Sequence, residues 1–451
     1  MKAKYEACVE PHRQLILDAE RYLWNHPETG YREWQAHAYL AEAYRKLGYE
    51  LTEAGDIPGF TAEVDTGRPG PTVAVFGELD SLLCDTHPEA DPTTGAVHAC
   101  GHNAQSAALL GLAAALKEPG ALDNLCGKIR LVAVPAEELI EVEYRETLYK
   151  QGTIRYFGGK PEFMRRGLLN GVDLAFMIHH CTDAGSVARM GGGSNGCIAK
   201  TMVFEGKAAH AGGAPHLGVN ALYAATQALN AANALRETFV DNEHIRFHPI
   251  INHGGAVVNA IPDTVTMESY VRGATMKEIT AVNRKINRAI AASAAALGAN
   301  VHLRDIPGYW PRKHSAKCCQ LIEDVMGQVV DKVVADPSAW STGCSDIGDV
   351  GAVMPILHPY ISGAVGTGHG NDYYIADPDT ACVKSAVCQL LLLDALLANG
   401  GAKAKELMDE YEPDFPSMED YFAFMDKLNL DQKAVTYEED GRVTLDFGPV
   451  L

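Results

Sequence analysis

Three short apolar runs in this 451-residue chain end in the same way, and that repetition constrains the fold more than any other feature. Thr72 to Phe76 runs into Gly77-Glu78-Leu79-Asp80, Lys128 to Val134 into Pro135-Ala136-Glu137-Glu138, and Val172 to Ile178 into His179-His180. Short runs rich in valine, isoleucine and phenylalanine read as buried strands. A helix of small residues, Ala104 to Leu116, lies between the first two. Strands separated by helical segments predict an α/β sheet, and ligands of open α/β sheets bind at the carboxyl ends of the strands. Here those ends carry carboxylates and imidazoles.

The rest of the pattern organises around this sheet. Leu15, Ala19, Leu23 and Trp24 share one helical face. Trp34, Ala38, Ala41 and Leu47 share another, after a break at Pro27 and Gly30. Phe60 to Val64 reads as a further strand. Beyond Gly191-Gly192-Gly193-Ser194 the order becomes strand (Ile198 to Phe204), helix (Asn220 to Leu235), strand (Arg246 to Asn252), strand (Thr264 to Val271), helix (Lys277 to Leu297) and strand (Val301 to Ile306). That β-α-β-β-α-β order is the split, ferredoxin-like arrangement. Helices resume at Ala316 to Val334 and Thr380 to Ala398. The expected architecture is a discontinuous α/β metal-binding domain, 1–195 and 310–451, with a small inserted domain, 196–309. The acidic stretch from Lys403 onward has helical pattern but no assignable role.

Charge narrows the partners. A formal net charge of -20 repels nucleic-acid backbones and anionic membranes. The 11 cysteines are scattered, with no Cys-x-x-Cys pair, which points to reduced thiols in the cytoplasm. The N-terminal residues lack the apolar run of a signal peptide, and no uncharged apolar stretch approaches membrane-spanning length.

Cys100 and His102 sit two apart before the small-residue helix. On an extended segment that spacing points both side chains one way, so they can share a metal; the plain alternative is a buried cysteine beside a capping histidine. Adjacent carboxylates such as Glu137-Glu138 can divide labour between ligation and proton transfer, although most such pairs are solvated turns. His179 is a third candidate ligand, with His180 its immediate competitor. His369, in Gly366-Thr367-Gly368-His369-Gly370, is a fourth. Asp80 is either part of the site or a helix cap. Taken together, these residues are what a two-metal hydrolase needs: several ligands, a bridging group and a spare carboxylate to activate water.

The sequence resembles the M20 family of metal-dependent amidohydrolases and carboxypeptidases, which includes aminoacylases, hippurate hydrolases and auxin-conjugate hydrolases. The motifs that carry this are His26-Pro27-Glu28 with Glu33, Glu78-Leu79-Asp80, His98-Ala99-Cys100-Gly101-His102 and Pro135-Ala136-Glu137-Glu138. They continue with Gly206-Lys207-Ala208-Ala209-His210-Ala211-Gly212, Gly218-Val219-Asn220-Ala221-Leu222 and Asn259-Ala260-Ile261-Pro262-Asp263. Asn103 and His358-Pro359-Tyr360 look more like the branch of aminobenzoyl-glutamate hydrolases and dipeptide-cleaving relatives.

The resemblance implies two divalent metal ions per chain, with Cys100 as bridging thiolate and His102, Glu138, His179 and His369 as the other ligands. It implies Glu137 as general base, Asp80 as an orienting residue and His210 as oxyanion support. It also implies that Asn259 and Arg272 hold the substrate's carboxylate. It further implies a phosphorylase/hydrolase-like catalytic domain and a homodimer formed through the inserted domain. The substrate is then a small N-acyl, aminobenzoyl or aminoacyl amino acid, with a narrow dipeptidase or carboxypeptidase as the alternative and a non-catalytic binding protein as a remote one. Cysteine and histidine ligands favour zinc, with manganese as the other candidate. The sequence departs from the family at Asp80-Ser81-Leu82-Leu83, for Asp-Ala-Leu-Pro, and at Cys344-Ser345-Asp346, which bears on pocket shape more than on metal chemistry.

Overall fold

The computed structural model describes residues 1–450 and divides the chain into two compact units. Met1–Gly193, Lys313–Trp340 and Ser345–Met418 form the first; Ser194–Arg312, Ser341–Cys344 and the residues from Glu419 onward form the second. Both units are mixed α/β.

In the first unit a six-stranded sheet has the order Leu51–Glu53, Phe60–Asp65, Lys128–Val134, Thr72–Glu78, Leu174–Phe176, Ile356–Leu357. The last four strands are parallel, with Glu78 opposite Val134, Val75 opposite Phe176 and Phe176 opposite Leu357. Their carboxyl ends therefore share one edge of the sheet. The first two strands pair antiparallel. Every residue of Thr72–Glu78 is buried, as a parallel strand covered on both faces requires, and this is why its sequence shows a continuous run instead of alternation. The helix His102–Ala115, buried along its whole length, is bolted to that strand's end. Ser106 Oγ donates to the Glu78 carbonyl at 2.6 Å, and the Glu78 amide donates to Gln105 Oε1 at 2.9 Å.

Two expectations are corrected in this unit. The helix beginning at Ala316 ends at Met326, and Lys332–Ser341 is a strand alongside Val187–Ser194. The β-branched residues after Gly327 favour the extended form. The strand expected from Val172 to Ile178 shortens to Leu174–Phe176, and His179–His180 pairs separately with Tyr360–Ile361. The segment Asp379–Leu397 is long and apolar enough by composition to cross a bilayer, yet 83% of that window is buried inside the protein. Its apolarity serves the core.

The second unit carries the split β-α-β-β-α-β order. Its sheet runs Arg246–Phe247 and Ile250–His253, then Thr264–Gly273, Gly196–Glu205, Asn300–Pro307 and Leu430–Lys433. Its helices, Ala221–Ala234 and Met276–Ala296, start at side-chain caps. Asn220 Oδ1 accepts from the amides of Leu222 and Tyr223 at 3.0 and 3.2 Å, and Thr275 Oγ1 from that of Glu278 at 3.2 Å. The fifth strand corrects the expected 310–451 segment: the chain from Glu419 on belongs here and not with the first unit. The reason is an open strand edge. Leu430–Lys433 pairs with Asn300–Pro307, placing His302 opposite Lys433 and Asp305 opposite Leu430. Asn300 Nδ2 also donates to the Val435 carbonyl at 2.6 Å.

Candidate metal centre

Cys100 and His102 converge through a turn, which corrects the expectation of an extended segment. Gly101 between them is left-handed, at φ +91°, and a Cβ there would lie 2.5 Å from the Tyr373 hydroxyl. Both the dihedral and the close approach demand glycine. His102 is then the first residue of its helix, fully buried, with Nδ1 2.9 Å from the Asp80 carbonyl and 3.2 Å from Asp80 Oδ1. An Nδ1–H held there turns the Nε2 lone pair away from Asp80. Asp80 Oδ2 accepts from the Glu138 amide at 2.8 Å, so one carboxylate aligns both the histidine and the glutamate turn. Against its burial, those bonds bring Asp80 down to about 2.

Two groups of donor atoms share Cys100. Cys100, His102 and His179 form one, and Cys100, Glu138 and His369 the other, with all donor atoms in each group within 4.8 Å of one another. Cys100 Sγ is 3.5 Å from His179 Nε2, and Glu138 Oε1 is 3.2 Å from His369 Nε2. The loop bearing His369 is tied down by its amide, which donates to the Ala99 carbonyl at 2.8 Å. Glu137 joins a third group with His102 and Glu138, its Oε2 3.9 Å from His102 Nε2. The choice between neighbouring histidines is made by their partners. His179 faces Cys100, whereas His180 Nε2 lies 2.9 Å from the Ala381 carbonyl. Burial and then His179 lower His180 to about 3, leaving it neutral.

The electrostatics suit cations. His102 Nε2 and Glu78 Oε2 face each other at 3.3 Å, both buried and neither hydrogen-bonded, a donor arrangement that a metal ion fits. Burial and Glu138 push the Cys100 thiol up, but His102 and His179 outweigh them and bring it to about 6, within reach of the thiolate a metal needs. Glu137 is held well above the usual carboxylate range by burial, then by Glu78 and Glu138. The donor set, two triads with a common sulfur, fits two divalent ions.

Sequence reasoning passed over part of this site. Lys160 is fully buried and donates through Nζ to both Glu78 and Asp346. No periodic pattern marks a buried lysine; its one signal was Gly158-Gly159 just before it. Arg145, also buried, braces the glutamate turn by donating to the Glu138 carbonyl, and Glu33 Oε1 accepts from the Ala136 amide at 2.8 Å.

Three expected residues lie in the second unit. His210 is exposed, and its Nδ1 accepts from the amides of Gly212 and Gly213 at 3.2 and 2.9 Å, so a neutral ring carries its proton on Nε2 as a donor. Asn259 is adjacent, its carbonyl accepting from the Ala211 amide at 3.0 Å beside a bridge between His210 and Ala260. Arg272, stacked 5.1 Å from the Tyr270 ring, pairs with Cys197 at the far end of Thr264–Gly273. At about 3.3 Å per residue, roughly 26 Å of strand separates Thr264 from Arg272. One chain does not bring Asn259 and Arg272 together.

Residues 193–297 match the family model described as a peptidase dimerisation domain. The chain is 28% identical over 378 residues to the Xaa-Arg dipeptidase of Homo sapiens, covering 80% of this chain and 79% of that one. It is 29% identical over 296 residues to a p-aminobenzoyl-glutamate hydrolase chain of Escherichia coli, covering 64% of this chain and 56% of that one. Among solved structures it superposes on a dinuclear metal binding peptidase from the M20 family of Bacillus subtilis with a TM-score of 0.62 at 20% identity, over 86% of this chain and 99% of that one. The chain thus carries the M20 peptidase dimerisation domain and is a homologue of M20-type dipeptidases and amidohydrolases.

Proposed function

We propose that this chain is a metal-dependent amidohydrolase that cleaves the amide bond of an N-acyl, aminobenzoyl or aminoacyl amino acid and releases an amino acid with a free carboxylate. The carrying observation is the convergence of Cys100, His102, Glu138, His179 and His369 beside the buried Glu137. Two divalent cations, zinc foremost, when bound there would polarise the scissile carbonyl and acidify water. Glu137, with its raised proton affinity, takes the proton of the attacking water and hands it to the leaving nitrogen. Asp80 keeps His102 in the tautomer and orientation that ligation requires. The Nε2–H of His210 is the donor for the carbonyl oxygen as negative charge develops on it, and Arg272 pairs with the substrate's carboxylate. Because His210 and Asn259 share one end of the second unit's sheet and Arg272 the other, a homodimer supplies each pocket with Arg272 from one copy and His210 with Asn259 from its partner. We also assign the enzyme to the cytoplasm, a reading supported by 11 cysteines of which none is joined in a disulfide.

The likeness to Xaa-Arg dipeptidase over 80% of the chain favours a second reading, a narrow dipeptidase using the same centre. One screen separates the two: N-acyl amino acids, aminobenzoyl-glutamate and dipeptides, each with zinc or manganese added. Hydrolysis of dipeptides alone would select the second reading, and no hydrolysis of any class would overturn both.

A further inference from the structure

The chain buries a lysine among carboxylates beside its proposed base. Glu78, Glu137 and Asp346 are all buried, and their nearest oxygens lie within 4.8 Å of one another. Three carboxyl groups so close, away from water, form a hard oxygen donor set of the kind that attracts a divalent cation. Lys160 Nζ donates instead to Glu78 and to Asp346, while its own amide donates to Asp346 Oδ2 at 2.9 Å. The backbone delivers it there. Gly159 donates to the Ala136 carbonyl at 3.2 Å, and a Cβ on Gly159 would lie 1.7 Å from the Pro135 oxygen. The lysine's helix, Gly159–Arg165, is thereby clamped against the turn that carries Glu137 and Glu138.

We propose that Lys160 is a positioning residue, a resident cation that occupies the carboxylate cluster so that Glu137 stays unligated and aimed at its water. This deepens the hydrolase reading and rests on Glu137 as the base. The ammonium neutralises Glu78 and Asp346 without coordinating geometry of its own, so Glu137 is neither recruited as a ligand nor turned toward a competing ion. Glu78, held by one oxygen, keeps the other toward His102.

The test is Lys160→Met, which keeps the length and removes the charge, set beside Lys160→Arg and the double variant Lys160→Met/Asp346→Asn. Each is dialysed against manganese alone, and bound ions per chain are counted beside kcat and KM. Lys160→Met is expected to take up close to one more ion per chain than the unaltered protein. Its kcat should fall by roughly 10²-fold with KM changed less than about threefold, and Lys160→Arg should recover much of the rate. The double variant removes one charge of each sign and so leaves the net charge of the buried cluster unchanged, which keeps the question open if Lys160→Met does not fold. It is expected to lose the extra ion yet remain at least about tenfold slow. Recovery of full kcat in the double variant would mean Lys160 merely neutralises Asp346 and would overturn the proposal, as would an unchanged ion count with normal kcat in Lys160→Met. Ion counting needs no turnover, so an enzyme that hydrolyses none of the screened substrates would sink the hydrolase reading independently of the ion count.

Discussion

Glu137 and Glu138 are chain neighbours with the same side chain, and their surroundings assign them different tasks. Glu138 meets His369 and has its amide fixed by Asp80, whereas Glu137 is raised by burial and by two nearby carboxylates. Glu137→Gln is nearly isosteric but accepts no proton. It is expected to retain its metal ions while kcat drops by roughly 10²-fold or more. Metal analysis and steady-state kinetics on the same preparation check this, and near-normal kcat would remove Glu137 from the base role. Chelation tests the ligands directly. A centre whose ions bind only the folded chain must stabilise it by mass action, so dialysis against a chelator should lower the Tm and abolish turnover, and added zinc or manganese should restore both. Most of these residues were legible in the sequence because they follow apolar runs at strand ends. Lys160 was not, since its burial depends on Glu78 and Asp346, 82 and 186 positions away, meeting in space.

Among elements, the Cys-Gly-His turn and the C-terminal strand carry the strongest expectations. Gly101→Ala would force a left-handed dihedral on a residue with a Cβ and drive it into Tyr373. Strain of about 1–3 kcal/mol is expected, with weakened metal binding, measurable by thermal melting and by competition with a chromophoric chelator. The sequence marks this glycine only as part of a motif; its spacing suggests an extended segment, because spacing alone does not report a positive φ. Truncation after Met418 removes Leu430–Lys433 and uncovers the edge of Asn300–Pro307. A lower Tm and concentration-dependent aggregation are expected, by calorimetry and light scattering. That strand escaped the sequence reading for a physical reason. Leu430-Asp431-Gln432-Lys433 is short and half charged, and only an existing sheet edge makes it extended.

At the scale of the whole molecule, the division into units followed from the switch of pattern near Gly191, and the error in it came from contacts remote in sequence. The dimer reading has a decisive mixing experiment. His210→Ala chains and Glu137→Gln chains, each inactive alone, are allowed to exchange protomers. If His210 serves its partner, one site in the mixed dimer carries both lesions and the other neither, so up to about half of the activity should return. No recovery, with exchange verified by a tagged protomer, would refute the trans arrangement. If the chain pairs through the second unit's sheet, that sheet also sets how far assembly can go. At one end the short strand Leu430–Lys433, bearing Asp431 and Lys433, blunts the edge; at the other, Ile250–His253 is exposed along its length. A sheet with one sticky margin and one inert margin can join a second copy only margin to like margin. In the proposed dimer such a union would use up both sticky sides at once, so growth would stop at two and the chain would be protected from stacking into fibres.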